Sequence, residues 1–204
     1  MYMIISVIVA YLLGSISFSV IIAKKLRQVD IRQHGSGNAG ATNTLRVLGV
    51  GPAIVVLLLD CFKGVIAVIV ALLLTGGDAF TASAAGLAAI IGHNWPVYYG
   101  FKGGKGVATT IGVLATLVLM PALFAGAIAI LSIILTRYVS LGSLLFISGT
   151  TLFVFIFSIV SSYSNDYLYA LLAITALSFW RHRSNIERLL KGTESKIGQK
   201  ATTN

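Results

Sequence analysis

The chain has 204 residues, of which 57% are hydrophobic and only 10% charged, and its mean hydropathy is +0.93. That balance lies outside the range of soluble globular domains and places the chain in lipid. A net charge of +9 would suggest nucleic acid in a soluble protein. Here it is confined to short loops between apolar runs, where the cytoplasmic bias of Lys and Arg accounts for it and no nucleic-acid partner is expected.

The first apolar run, 3–23, has about the 20 residues that cross a ~30 Å hydrocarbon core at ~1.5 Å per residue. No basic segment precedes it and no cleavage site follows, so it reads as a retained span rather than a signal peptide. Further apolar segments lie at 52–74, 79–92, 107–136, 141–160 and 165–180, each bounded by Gly, Pro, Asp or basic residues.

The segment 107–136 decides the topology. If it crosses once, Arg137 falls opposite Lys102 and Lys105. If it turns near Met120 and Pro121, every loop Lys and Arg lies on one side, and the other side holds only the turns near Asp78, Pro121 and Asp166. Charge bias favours the second arrangement. The expectation is an all-α polytopic membrane protein with seven transmembrane helices, its N-terminus outside and its C-terminus cytoplasmic. One domain, 1–204, would carry its chemistry on cytoplasmic loops 24–51, 93–106 and 137–143 and on the tail 181–204. The helices 79–92, 107–120 and 121–136 are short, so tilt or a locally thin bilayer must compensate.

Within 79–92, Ala82 and Gly86 stand four apart, as do Ala85 and Ala89, a spacing of small residues that permits close helix contact. Trp95, Tyr98, Tyr99 and Trp180 fall at span ends, where aromatic belts account for them. The single cysteine, Cys61, excludes a disulfide and a multi-cysteine metal site, leaving a packing role. No metal or cofactor is expected. Asp60 and Lys63 lie three residues apart inside the second span. Charges at that depth are costly and should pair and face protein, for structure or for function.

The first basic loop contains Gly35, Ser36, Gly37, Asn38, Ala39, Gly40 and Thr42, then Arg46. It matches GxGxxG, and Asp60 even stands 20 residues beyond Gly40, as in a dinucleotide site. That match fails, because no strand precedes it and Asp60 lies within an apolar helix. What survives is the physics: glycines let backbone N–H groups converge on an anion, Ser36, Asn38 and Thr42 add donors, and Arg46 can clamp a phosphate. A plain interhelical turn is the competing reading.

The second loop runs from Gly92, His93 and Asn94 to Gly103, Gly104, Lys105 and Gly106, just before a helix whose free N–H groups suit phosphate. Tyr99 stands where a Walker A loop requires its first glycine. Taken alone, His93 is a helix-end cap rather than a base. The third loop offers Arg137, Ser140 and Ser143, with Ser140 also a natural N-cap. In the tail, helical spacing puts His182 and Asn185 on one face, and anionic lipid could account for part of its basicity.

Together these stretches resemble the bacterial PlsY family of membrane glycerol-3-phosphate acyltransferases. The resemblance rests on SGNAGATN followed by Arg46, on GHNWPVYYGFKGGKGVAT, and on His182, Arg183, Asn185, Ile186, Arg188, Leu189, Gly192 and Glu194. It implies transfer of a fatty acyl group from acyl phosphate to the 1-hydroxyl of glycerol 3-phosphate, giving lysophosphatidic acid, at the bacterial cell membrane. It also implies that the second motif, with His93, Asn94, Gly103, Gly104, Lys105 and Gly106, binds glycerol 3-phosphate. Ser36, Asn38, Arg46, Ser143, His182 and Asn185 complete the expected binding set, with Ser36, His182 and Asn185 the catalytic candidates. Asp60, Lys63 and Glu194 would be structural.

Acyl phosphate is a mixed anhydride with a good leaving group, so no covalent enzyme nucleophile is required. The protein must align two phosphate-bearing substrates, stabilise an oxyanion and manage one hydroxyl proton. Three other readings are weaker. The HxxxxD dyad of acyl-CoA enzymes has only His182 and Glu187 as an imitation. An anion transporter should show midplane binding residues and an inverted repeat, and a CDP-alcohol phosphotransferase needs clustered aspartates.

Overall fold

The computed structural model describes residues 1–160 and 163–199; residues 161–162 and 200–204 lie outside the described residues. The elements in chain order are α1 (Tyr2–Gly14), α2 (Phe18–Arg27), a 3-10 turn (Ile31–Gln33), α3 (Ala41–Leu48), α4 (Val50–Thr75), α5 (Ala79–Asn94), a second 3-10 turn (Val97–Tyr99), α6 (Val107–Leu117), α7 (Leu119–Thr136), α8 (Val139–Val160), α9 (Asn165–Arg181) and α10 (Arg183–Leu190). Among the described residues there is no strand.

Among the described residues, four helical stretches are long and apolar enough to cross a bilayer: Tyr2–Arg27, Val50–Thr75, Leu119–Thr136 and Val139–Ile159. The first is broken between Gly14 and Phe18. Large apolar side chains point away from the bundle, with Ile134 68% and Leu135 74% exposed on α7. Such a surface suits lipid and would promote aggregation in water. The helix in 107–136 is interrupted at Val118, where the backbone leaves the helical region, rather than near Met120 and Pro121. Pro121 sits in the first turn of α7, where a missing N–H costs nothing.

α5 lies in the middle of the bundle because its surface is small: Ala82, Ala85 and Ala89 are fully buried. A Cβ on Gly14 of α1 would collide with the Ala89 carbonyl, and one on Gly112 of α6 with the carbonyl of Cys61 in α4. These contacts bring backbones together where side chains would hold them apart. The close packing draws the ends of α2, α5, α6 and α9 to one end of the bundle, where the loops carry the polar chemistry.

Candidate functional site

The first loop is braced by two side chains. Asp30 caps the 3-10 turn by accepting from the Arg32 N–H (3.0 Å) and pairs with the Arg32 guanidinium at 2.7 Å. That hydrogen-bonded guanidinium holds the Asp30 carboxyl below the usual carboxylate range. Arg32 Nη1 also donates to the Tyr99 carbonyl in the second loop (2.8 Å). Asn43, buried in the first turn of α3, accepts from Ser36 N (2.8 Å) and donates to the carbonyls of Ile31 (3.1 Å) and His34 (2.9 Å). Those partners fix its amide orientation, since only oxygen can accept from an N–H and only nitrogen can donate to a carbonyl. Asn43 therefore shapes the turn through Gly35 and Gly37, both at positive φ. The Ser36 side chain is left exposed and Asn38 half-buried at the rim.

The second loop folds back under the end of α5. Gly104 N donates to the His93 carbonyl (3.1 Å). A Cβ on Gly103 would strike that same carbonyl, and one on Gly104 would strike both the Ala39 carbonyl and His93 Nε2. The two glycine-rich loops thus meet at Gly104. Gly106, at φ +80°, opens α6. Asn94 is only 1% exposed, and its Oδ1 lies beside Gly106. Neither of its amide atoms has a hydrogen-bond partner among the described residues, nor do the buried hydroxyls of Thr109 and Thr110. Buried polar groups are normally satisfied, so these are available to a ligand or solvent.

The tail supplies the rest. Arg181 Nη2 donates to the Gly104 carbonyl (2.5 Å), with its guanidinium over Trp95 at 5.3 Å and Trp180 at 5.9 Å. The span-end tryptophans therefore hold a site arginine as well as marking an interface. His182 Nδ1 lies 2.8 Å from the Ser178 carbonyl. A carbonyl only accepts, so Nδ1 carries the proton and Nε2 keeps a lone pair. Burial, and then the Lys105 charge, push the His182 pKa down to about 4, so the imidazole is neutral at pH 7.

Lys105 Nζ donates to Asn185 Oδ1, and Asn185 Nδ2 donates to Glu194 Oε1 (2.6 Å). Glu194 also accepts from Ser140 Oγ and Arg188 Nε, each at 2.7 Å. Burial opposes the Glu194 charge, but these three donors hold its carboxyl below its usual value. Burial lowers the Lys105 pKa to about 8; Glu194 counters this in part, while Arg188, Arg181 and Arg46 add to it. Arg46 is close enough to act on Lys105, yet it makes no hydrogen bond or ion pair among the described residues.

The structure therefore brings together Lys105, Asn185, Glu194, His182 and Arg46 around the glycines at 103, 104 and 106. The Ser143 hydroxyl donates to the Val139 carbonyl in its own helix (2.8 Å), and Ser140, one turn earlier, makes the contact to Glu194. Arg32, Asn43, Ser140, Arg181 and Arg188 are site residues absent from the expected binding set. Asn43 lay within the first motif, but nothing in its spacing distinguished a brace from a loop donor. Arg32 was one cation among several in a basic loop. No group of three His, Cys, Asp or Glu is placed to hold a metal among the described residues.

A family model described as glycerol-3-phosphate acyltransferase matches residues 4–192. The glycerol-3-phosphate acyltransferase of Halalkalibacterium halodurans is 67% identical over 198 residues, covering 97% of this chain and 96% of that protein. The chain belongs to the glycerol-3-phosphate acyltransferase family. Two solved structures of PlsY, an integral membrane glycerol 3-phosphate acyltransferase, share its fold. The glycerol 3-phosphate form is 43% identical with a TM-score of 0.89, covering 96% of each chain. The lysophosphatidic acid form is 42% identical with a TM-score of 0.87, covering 96% of this chain and 95% of that one. As a glycerol-3-phosphate acyltransferase this chain is a membrane enzyme of phospholipid synthesis, and its half-buried cations and glycine loops have the chemistry of a phosphate site.

Proposed function

We propose that the enzyme takes its acyl group from acyl phosphate and transfers it to the 1-hydroxyl of glycerol 3-phosphate, giving lysophosphatidic acid and inorganic phosphate. The observation that carries this reading is the composition of the site. Lys105, Arg46 and Arg181 converge on two glycine-rich loops, the single cysteine, Cys61, belongs to α4 rather than to these loops, and the His182 imidazole is neutral and weakly basic. Those groups can bind and orient phosphates but do not supply a strong base or a covalent nucleophile.

In the reaction the 1-hydroxyl oxygen attacks the acyl carbonyl carbon, the carbonyl carbon–phosphate oxygen bond breaks, and the hydroxyl proton ends on the departing phosphate. Lys105 and Arg46 bind phosphate oxygens. His182 Nε2 accepts a hydrogen bond from the attacking hydroxyl and orients it, while Asn185 holds Lys105 in place. Ser36, Asn38 and Asn94 add donors at the rim and floor, and Glu194 anchors the tail.

The arrangement in the membrane belongs to the same proposal. Seven spans, with the N-terminus outside, put every loop Lys and Arg on the cytoplasmic face of a bacterial cell membrane, in one domain with its site on loops and tail. The test offers purified enzyme labelled glycerol 3-phosphate with acyl phosphate, acyl-CoA or acyl carrier protein in turn. Product from acyl phosphate alone supports the donor assignment, and product only from acyl-CoA overturns it. Single cysteines placed near Asp78 and in 100–105 should label from opposite sides of sealed vesicles.

A further inference from the structure

α1 and α2 are separated by a break at Ile16, and a broken helix within the bilayer leaves a carbonyl that needs a donor. Lys63 supplies it: its Nζ donates to the Ile16 carbonyl at 2.7 Å. The same ammonium lies 2.8 Å from Asp60 Oδ1 and 3.0 Å from His93 Nδ1. Lys63 and Asp60 are 3% and 1% exposed. An ammonium has three N–H donors and no acceptor, and here three acceptors surround it. His93 Nδ1 also lies 3.6 Å from Asp60 Oδ1, but the ammonium is nearer and can only donate, so Nδ1 accepts from it and the proton of the neutral ring goes to Nε2. Nε2 lies against Gly104, and no hydrogen bond engages it among the described residues.

We infer that the buried Asp60–Lys63 pair is a positioning device for the phosphate loop: it locks His93 in the Nε2–H tautomer and so presents one more hydrogen-bond donor, beside Gly104, to the phosphate of glycerol 3-phosphate. Asp60 keeps Lys63 charged, Lys63 fixes the proton on the far side of the ring, and His93 delivers it to the site. The inference rests on the proposed reading of the loop as the glycerol 3-phosphate seat. It makes Asp60 and Lys63 positioning residues rather than purely structural ones, and it explains why this ion pair sits where α5 enters the loop.

Two measurements on the full chain in detergent or nanodiscs test it. Side-chain nitrogen NMR of histidine-labelled protein reads the tautomer directly. The chain has three histidines, assigned with His34→Gln and His182→Gln. The expected result is an unprotonated Nδ1 and a protonated Nε2 for His93; a protonated Nδ1 overturns the inference. The second measurement is kinetic. Asn at position 93 places its amide nitrogen near Nδ1, whereas Gln places it near Nε2. His93→Asn should raise the KM for glycerol 3-phosphate roughly tenfold or more with kcat nearly kept, and His93→Gln should recover most of the loss.

The neutral double variant Asp60→Asn/Lys63→Met removes the lock without stranding a charge. It should raise the same KM and give His93 a mixture of tautomers. A folded double variant with wild-type KM, or equal KM values for the two His93 variants, overturns the inference. If the double variant does not fold, the wild-type tautomer decides. Failure of the reading beneath is separate, because it would appear as an unchanged KM for glycerol 3-phosphate in Lys105→Met, a loop variant that leaves the contacts of His93 Nδ1 untouched.

Discussion

Lys105 donates a hydrogen bond to Asn185, 80 residues further along the chain, and this contact joins the glycine-rich loop to the tail. Asn185 then donates to Glu194, so a neutral amide stands between the ammonium and the carboxylate. A direct salt bridge would neutralise Lys105. With the amide interposed, Lys105 is held in place by an acceptor and its charge remains directed at a ligand.

The pH dependence of substrate capture follows from this placement. Burial depresses the Lys105 pKa to about 8, so the ammonium loses its proton at a lower pH than an exposed lysine would. The free enzyme should bind glycerol 3-phosphate well below that pH and progressively less well above it. We expect kcat/KM to fall on an alkaline limb near pH 8. Lys105→Arg, which stays protonated, should remove that limb even if activity is lower, and Lys105→Met should reduce kcat/KM by roughly 100-fold through loss of a charged contact. Steady-state rates between about pH 6 and 10, which bracket the titration of a lysine so shifted, test both outcomes.

Glu194 should matter to stability more than to chemistry. It accepts from Ser140, Asn185 and Arg188, and those donors hold its folded pKa below the ordinary 4.5. A carboxyl depressed on folding contributes stability that is present above its unfolded pKa and lost as pH falls through its folded one. Thermal unfolding in detergent should therefore show wild type losing stability below about pH 4.5. Glu194→Gln should be about 1–3 kcal/mol less stable at neutral pH and less sensitive to acid. A variant as stable as wild type would remove Glu194 as the anchor of the tail.

His182 should orient rather than deprotonate. With Nδ1 donating to Ser178 and a pKa near 4, its Nε2 is a hydrogen-bond acceptor but a poor base. His182→Gln should chiefly raise the KM for glycerol 3-phosphate, by roughly tenfold, with a smaller loss in kcat. Abolished turnover at unchanged substrate affinity would instead make His182 the proton acceptor.

Much of this was legible in the residues because composition and charge act at long range along a chain. The apolar runs marked helices, and the length of 107–136 pointed to an interruption, which the structure has at Val118. The break at Ile16 was hidden, since no Pro or Gly–Gly marks it and its compensation comes from Lys63, 47 residues away. Site membership followed the same division. Lys105, His182 and Asn185 stand in recognisable stretches, and the structure draws them together. That Ser140 rather than Ser143 reaches Glu194 could not be read from the chain, because two hydroxyls on one face look alike until Glu194 selects between them. Arg32 and Arg181 act through carbonyls of another loop, and no local pattern encodes the partner of a backbone acceptor.

Two sterically crowded glycines should fail in different ways. A Cβ at Gly104 would meet the Ala39 carbonyl and the His93 ring, which are parts of the site. A Cβ at Gly112 would meet the Cys61 carbonyl between α4 and α6, within the bundle. Gly104→Ala should therefore displace the phosphate loop and raise the KM for glycerol 3-phosphate while barely changing the unfolding temperature. Gly112→Ala must push two packed backbones apart, at a cost of about 1–3 kcal/mol for overpacking, and should lower the unfolding temperature while the surviving folded enzyme keeps a near-normal KM. Measuring both quantities on both variants separates the two roles. A Gly112→Ala enzyme with raised KM and unchanged stability would mean that the α4–α6 contact shapes the site itself.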